Sequence, residues 1–177
     1  MRYHEPVPTS PTPPHRIIDD PVRLTAYHEA GHAVMAQLCG RQITEVEIVG
    51  DEDLTGSVQS LRFADEDPSE HDPAVPTAPV ERRLLCTAAG MVAESMVSGR
   101  RDWDEACEDL DLAVGLAMKV VDDCERVIPF LEIVREHTED LLRRNWGAVE
   151  ALADALIEHR SLSGEEVRRL LAPLLPD

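Results

Sequence analysis

Several residue types and patterns are scarce in this chain of 177 residues. It has two tryptophans, two tyrosines and two phenylalanines, so its core must depend on aliphatic side chains. Lys119 is the only lysine, and the formal net charge is -18. This charge argues against binding to nucleic acid or an anionic membrane surface, because both need clustered basic side chains.

No apolar run is long enough to span a bilayer, and the first residues lack the apolar stretch of a signal peptide, so we expect a cytoplasmic protein.

Two further patterns are absent from the sequence. The four cysteines have no C-x-x-C spacing and lie in segments with helical patterns, which is typical of free thiols rather than disulfides. The phosphate-binding pattern G-x-x-x-x-G-K-[ST] does not occur either. We therefore expect that this chain cannot use ATP by itself.

The most informative pattern that is present is His-Glu-x-x-His. His28, Glu29 and His32 lie in the segment 24–36, which has the pattern of a helix. Residues four apart share one face of a helix, so His28 and His32 can direct two imidazoles at one metal ion. Glu29 can then reach the open position of that metal as a general base. The motif predicts a zinc metallopeptidase, and it leaves one ligand to be found because catalytic zinc usually has three protein ligands.

The third ligand is not supplied next to the motif. In the metzincin pattern the third histidine follows six residues after the second, but here Leu38 stands at that position and Met35 stands where that pattern requires glycine. The third ligand must therefore come from further along the chain. Three candidates remain on chemical grounds: Asp109, which borders an apolar helical stripe, Glu94 and Cys107. Glu94 lies in an otherwise apolar helix, and it could alternatively accept the free N–H of a ligating histidine. The residues alone do not choose among the three.

A series of motifs resembles the peptidase domain of FtsH-type ATP-dependent zinc metalloproteases. In chain order they are AYHEAGHAV at 26–34, ITEVEIVGDEDLTGSVQS at 43–60, AAGMVAESMVSG at 88–99, EDLDLA at 108–113 and LLRRNWGAVEALADALIEHRSLSGEEVRRLL at 141–171. The resemblance covers roughly residues 20–172. It implies a mainly α-helical, FtsH-like zinc peptidase domain with one small β-hairpin.

The resemblance also assigns roles to residues. It places Asp109 at the position of the family's third zinc ligand, beside His28 and His32. It makes one strand the candidate for binding substrate: Thr55, Gly56, Ser57 and Val58. Because peptidase domains of this family form hexameric rings, we also expect a homo-oligomer, with an interface on apolar residues of 147–159 and 163–172.

Local patterns predict the elements and their boundaries. We predict a flexible proline-rich tail over 1–18 and a metallopeptidase-like domain over 19–177. The predicted helices are 21–40, 79–98, 104–124, 128–145, 147–159 and 163–172, and the predicted strands are 43–49 and 56–63.

The sequence therefore predicts a zinc-dependent endopeptidase that hydrolyses flexible or unfolded polypeptides through a zinc-activated water, without its own ATPase. Its expected partners are a polypeptide substrate and a separate ATPase or unfoldase. The alternative is a non-catalytic adaptor or regulatory binding module that keeps the peptidase fold, either with or without zinc.

Overall fold

The computed structural model describes residues 17–50, 57–63, 77–100 and 108–175. The elements are α1 (Pro21–Leu38), β1 (Ile43–Gly50), β2 (Ser57–Phe63), α2 (Thr77–Ser98), α3 (Glu108–Ala117), a 3₁₀ turn (Cys124–Arg126), α4 (Val127–Arg144), α5 (Trp146–His159), β3 (Ser161–Ser163) and α6 (Gly164–Leu171). The predicted fold class, mainly helical with one small β-hairpin, is confirmed. The tail predicted over 1–18 lies almost entirely outside the described residues.

Helix α1 is the central element. Asp20 begins it, because its carboxylate accepts hydrogen bonds from the backbone N–H groups of Val22 and Arg23. Every residue from 25 to 36 is buried, since α1 packs against α2, α5 and both strands of the hairpin. Burial on all sides explains why the segment lacks a polar face. It also means that the His-Glu-x-x-His motif lies in the interior.

The sheet contains one more strand than the sequence predicted. β1 and β2 form the expected antiparallel hairpin, and β3 pairs with the other side of β1, which gives the order β2-β1-β3. The sequence did not predict β3 because this strand has only three residues, of which Leu162 alone is buried. Three residues are too few to show the alternation that identifies a strand. Ser163 then begins α6 with a capping box that includes Glu166.

Helix α3 is shorter than the predicted helix 104–124. Residues 101–107 are outside the described part of the chain, and α3 ends at Ala117. The N–H group of Met118 still bonds four residues back, whereas those of Lys119 and Val120 bond to carbonyl groups three residues back. The chain therefore tightens into a turn and starts again at Asp123, whose carboxylate caps the 3₁₀ turn.

Few large apolar side chains of α5 and α6 are left for the interface expected there, because most of them face the core. Six of these side chains are fully buried: Trp146, Val149, Leu152, Leu156, Val167 and Leu171. The homo-oligomer itself stays a prediction. The exposed large apolar side chains among the described residues lie elsewhere: Ile17, Leu112, Met118, Ile128, Ile133 and Leu174. The helices of the described part also include none that is long and apolar enough to cross a membrane.

Candidate metal centre

Three side chains from two helices meet beside the core. His28 and His32 come from consecutive turns of α1, and Asp109 comes from the first turn of α3. Nε2 of His28 lies 2.9 Å from Oδ2 of Asp109, Nε2 of His32 lies 3.1 Å from the same oxygen, and the two Nε2 atoms are 3.0 Å apart. In the part of the chain that the structure describes, these three residues form the one group of histidine, cysteine or acidic side chains that could hold a metal ion.

The spacing of these atoms matches the needs of zinc. Bonds of about 2.0–2.2 Å in a tetrahedron place neighbouring ligand atoms about 3.3 Å apart. The three observed separations lie slightly below this value, so a small outward movement would make room for an ion. Two imidazoles and one carboxylate are also a donor set found in hydrolytic zinc sites, where a fourth position stays open. The residues therefore fit zinc in geometry and in chemistry.

The other nitrogen of each histidine ring has its own partner. Nδ1 of His32 donates to the carbonyl oxygen of Cys86 at 2.7 Å, and Nδ1 of His28 donates to Oε2 of Glu94 at 3.1 Å. A carbonyl or carboxylate oxygen can only accept, so the Nδ1 atoms carry the protons. In the neutral rings, the lone pair is then on Nε2, which faces Asp109. Glu94 thus contacts Nδ1 of His28, on the opposite side of the ring from Asp109, where it can orient the ring.

Two glycines let α1 and α2 approach closely at this point. A Cβ atom on Gly31 would lie 2.5 Å from the carbonyl oxygen of Ala89. A Cβ atom on Gly90 would lie 2.3 Å from Nε2 of His32 and 2.6 Å from Nε2 of His28. The backbone of α2 therefore forms one wall of the site, and any side chain at position 90 would occupy the space of the imidazoles.

Charge coupling between the three side chains is strong. Burial disfavours the charged form of His28, but hydrogen bonds to Asp109 and Glu94 outweigh this effect and raise its pKa to about 9. Burial also acts against ionisation of Asp109, yet the hydrogen bonds from His28 and His32 hold the pKa of this carboxyl well below its usual range. In the metal-free chain, a proton on His28 therefore occupies the position at which a metal cation would bind.

Glu29 lies beside this group and is almost fully buried, with 2% of its surface exposed. Burial raises the pKa of its carboxyl group, although the charges of His32 and His28 act in the opposite direction. A buried carboxyl with a raised pKa takes up and releases a proton more readily near neutral pH than an exposed one. Its environment thus suits general acid–base chemistry.

The remaining predicted site residues fall at or beyond the edges of the described segments. Thr55, Gly56 and Cys107 lie outside them. Ser57 and Val58 begin β2, where Val58 pairs with Val49 of β1, and their role in binding substrate stays a prediction.

Sequence reasoning did not identify Gly90 or the carbonyl group of Cys86 as parts of the site. A glycine within the apolar helix pattern was the only available signal for Gly90. The carbonyl group of Cys86 left no signal, because every residue has one.

Comparison with known proteins confirms the resemblance seen in the motifs. The chain is 28% identical over 184 residues to the ATP-dependent zinc metalloprotease FTSH 11, chloroplastic/mitochondrial, of Arabidopsis thaliana, with 89% of this chain aligned. It is 27% identical over 189 residues to the ATP-dependent zinc metalloprotease FtsH of Rickettsia conorii, with 85% of this chain aligned. FTSH 9, chloroplastic/mitochondrial, of Oryza sativa is 27% identical over 177 residues and also aligns with 85% of the chain.

The matched region is only part of each relative. It corresponds to 22% of the Arabidopsis protein, 29% of the Rickettsia protein and 22% of the rice protein. No protein-family model matches the chain. The similarity therefore relates this chain to one portion of proteins that are named as zinc metalloproteases.

Proposed function

We propose that this chain, which resembles FtsH-type zinc metalloproteases over most of its length, is a zinc-dependent endopeptidase. The observation that carries the proposal is the convergence of Nε2 of His28, Nε2 of His32 and Oδ2 of Asp109 within about 3 Å of one another, with Glu29 buried beside them. This combination supplies three ligands and a general base, which are the components of a hydrolytic zinc site. The named activity of the relatives supports the same conclusion.

Each side chain has a separate task in this proposal. His28, His32 and Asp109 would hold the ion, which when bound supplies a Lewis acid that polarises a peptide carbonyl and makes a water molecule more acidic. Glu94 and the Cys86 carbonyl fix the rings through Nδ1. Glu29 accepts a proton from the attacking water and passes it to the leaving amine.

The proposed substrates are flexible or unfolded polypeptides. An extended peptide can add to the edge of a sheet through backbone hydrogen bonds, and β2 is an edge strand in the order β2-β1-β3. A folded protein seldom offers such a segment, because its backbone groups are already paired and it is stable by about 5–15 kcal/mol. The proposal therefore includes a separate ATPase as the partner that would deliver folded substrates.

The test is hydrolysis of a flexible, casein-like protein by the wild type and by Glu29→Gln. The variant keeps the size of the side chain but removes its basicity, so we expect zinc and fold to be retained and the rate to fall at least about 100-fold. Glu136→Gln, on an exposed position of α4, is the matched control and should keep the wild-type rate. Equal rates for Glu29→Gln and the wild type would refute the mechanism. If neither protein cleaves although both bind zinc, the non-catalytic binding module becomes the better account.

A further inference from the structure

Two buried aromatic rings join α1 to α5. Tyr27, the residue before His28, stacks on Trp146, the first residue of α5, with ring centroids 5.8 Å apart and an angle of 10° between the ring planes. Nearly parallel rings at this separation are offset, which is a favourable arrangement for an aromatic pair. Tyr27 is 4% exposed and Trp146 is fully buried. A chain with two tyrosines and two tryptophans thus places one of each against the helix that carries the His-Glu-x-x-His motif.

The two rings hold the helices together through their faces and not through a polar contact of the indole. Nε1 of Trp146 is buried and has no hydrogen-bond partner among the described residues. An unpaired N–H group disfavours burial, so phenylalanine would avoid a cost that tryptophan incurs here. What the larger ring adds is contact area, and the face of Tyr27 lies against it.

The three candidate ligands come from helices that are held by different neighbours. His28 and His32 lie on α1, which packs against α2 and α5, whereas Asp109 lies on α3, which packs against α2 and α4. The position of the imidazoles relative to the carboxylate therefore depends on how α1 is held. On the side of α5, the contact next to the motif is that of Tyr27 with Trp146.

A small rotation of α1 would be enough to disturb the group. Side-chain atoms at the outer radius of a helix lie about 5–6 Å from its axis, so a rotation of about 10° moves them by about 1 Å. Nε2 of His28 lies 2.9 Å from Oδ2 of Asp109, and functional sites tolerate displacements of only about 0.5 Å. Because Tyr27 directly precedes His28, a change in the ring contact reaches that ligand through one peptide unit.

We propose that Tyr27 and Trp146 are positioning residues of the candidate metal centre. Their stacked rings fix the rotation of α1, and the helix in turn holds the Nε2 atoms of His28 and His32 opposite Asp109. Both rings act through α1, and neither is a catalytic residue. The proposal rests on the proposed zinc-dependent function, because it names the contact that keeps that site in its working geometry.

The experiment compares full-length Tyr27→Leu with the wild type. The variant stays apolar but loses the ring, so we expect zinc affinity to fall about 10-fold, measured by competition with a chelating dye. The visible absorption of the cobalt(II)-loaded protein, which depends on the geometry of the ligands, should change as well. At saturating zinc, kcat for the casein-like protein should fall about 10- to 100-fold while KM changes less than about twofold. Tyr27→Phe keeps the ring and should restore all of these values.

A second comparison separates positioning from general stability. Leu171→Ala truncates a fully buried side chain of α6 and should lower the urea midpoint, but it should leave zinc affinity and the cobalt spectrum unchanged. Trp146→Leu should reproduce the loss seen in Tyr27→Leu, and the double variant should lose no more than either single one, because all three remove the same contact. If Tyr27→Leu does not fold, Tyr27→Met fills more of the same space without a ring and should show the same losses.

Two results would overturn the proposal while the metal centre stands. One is wild-type affinity, spectrum and kcat in a folded variant that lacks the Tyr27 ring. The other is an equal loss of affinity in Leu171→Ala, which would show that zinc binding follows overall stability. A wild type that binds metal without cleaving peptides, together with the expected loss of affinity in Tyr27→Leu, would uphold the positioning role and contradict the peptidase function. A wild type that binds neither zinc nor cobalt would contradict the metal centre and this proposal together.

Discussion

Gly90 of α2 lies so close to His32 of α1 that a Cβ atom at position 90 would stand 2.3 Å from Nε2 of that histidine. Nε2 is the atom that we propose as a zinc ligand. The site therefore requires glycine at position 90, because any larger side chain would fill the space in which both imidazole rings face Asp109.

Gly90→Ala should abolish tight zinc binding. The added methyl group must displace both rings, and overpacking of this kind costs about 1–3 kcal/mol of stability, against at most about 1 kcal/mol gained from helix propensity. We expect zinc affinity to fall by at least about 100-fold, measured by competition with a chelating dye. Gly115→Ala is the matched control on α3, where nothing lies within 4 Å of the added atom, and it should leave zinc affinity unchanged. Wild-type affinity in Gly90→Ala would show that the rings have more room than the structure gives them.

The stability of the metal-free chain should fall as the pH rises from about 6.5 to 9. Burial opposes the charge on His28, but the hydrogen bonds to Asp109 and Glu94 raise its pKa to about 9, while a histidine in an unfolded chain titrates near 6.5. The folded state thus favours the proton. The resulting stabilisation is fully present below about pH 6.5 and is lost as the pH approaches 9. Its size is on the order of 3 kcal/mol.

Urea denaturation of chelator-treated protein across this pH range measures the effect. His28→Gln is the control that should remove it, so the quantity of interest is the difference between wild type and variant. Zinc-loaded protein should lack the decline, because metal binding requires His28 without its Nε2 proton. A difference that is constant between pH 6.5 and 9 would contradict the proposed charge coupling.

Cleavage should depend on the folded state of the substrate and not on ATP. A flexible protein should be hydrolysed by the purified chain, and a tightly folded domain should resist until a destabilising mutation opens it. The measurement is digestion of one model domain and its destabilised mutant, each with and without ATP. Equal cleavage of both forms would contradict this prediction. Stimulation by ATP that appears only after cell extract is added would instead reveal a separate unfoldase partner.

The sequence predicted some of the site because local spacing determines local geometry. His28 and His32 share a face of α1 since they are four residues apart, and this relation needs no knowledge of the tertiary fold. Asp109 is different, because it lies 77 residues after His32 within an acidic cluster. Only the resemblance to FtsH-type proteases selected it, and the structure brings its carboxylate against both rings.

Other features had no readable signal in the sequence. The Cys86 carbonyl is a backbone group, and β3 is too short to show a period of two. The sequence pattern predicts an apolar face on α5 and on α6, but most of these positions pack in the core rather than in an interface, because patterning gives the apolar face of a helix without saying what covers it. Packing between distant segments decides these points.

The most direct test of the account is the zinc content of purified variants, measured by elemental analysis. The wild type should hold one zinc per chain, and His28→Ala and His32→Ala should hold none. Asp109→Ala should lose most of its zinc, whereas Glu94→Ala, which removes only the partner of Nδ1 in His28, should keep zinc at a saturating concentration with affinity reduced about 10- to 100-fold. Full zinc in Asp109→Ala together with none in Glu94→Ala would contradict the proposed ligand set.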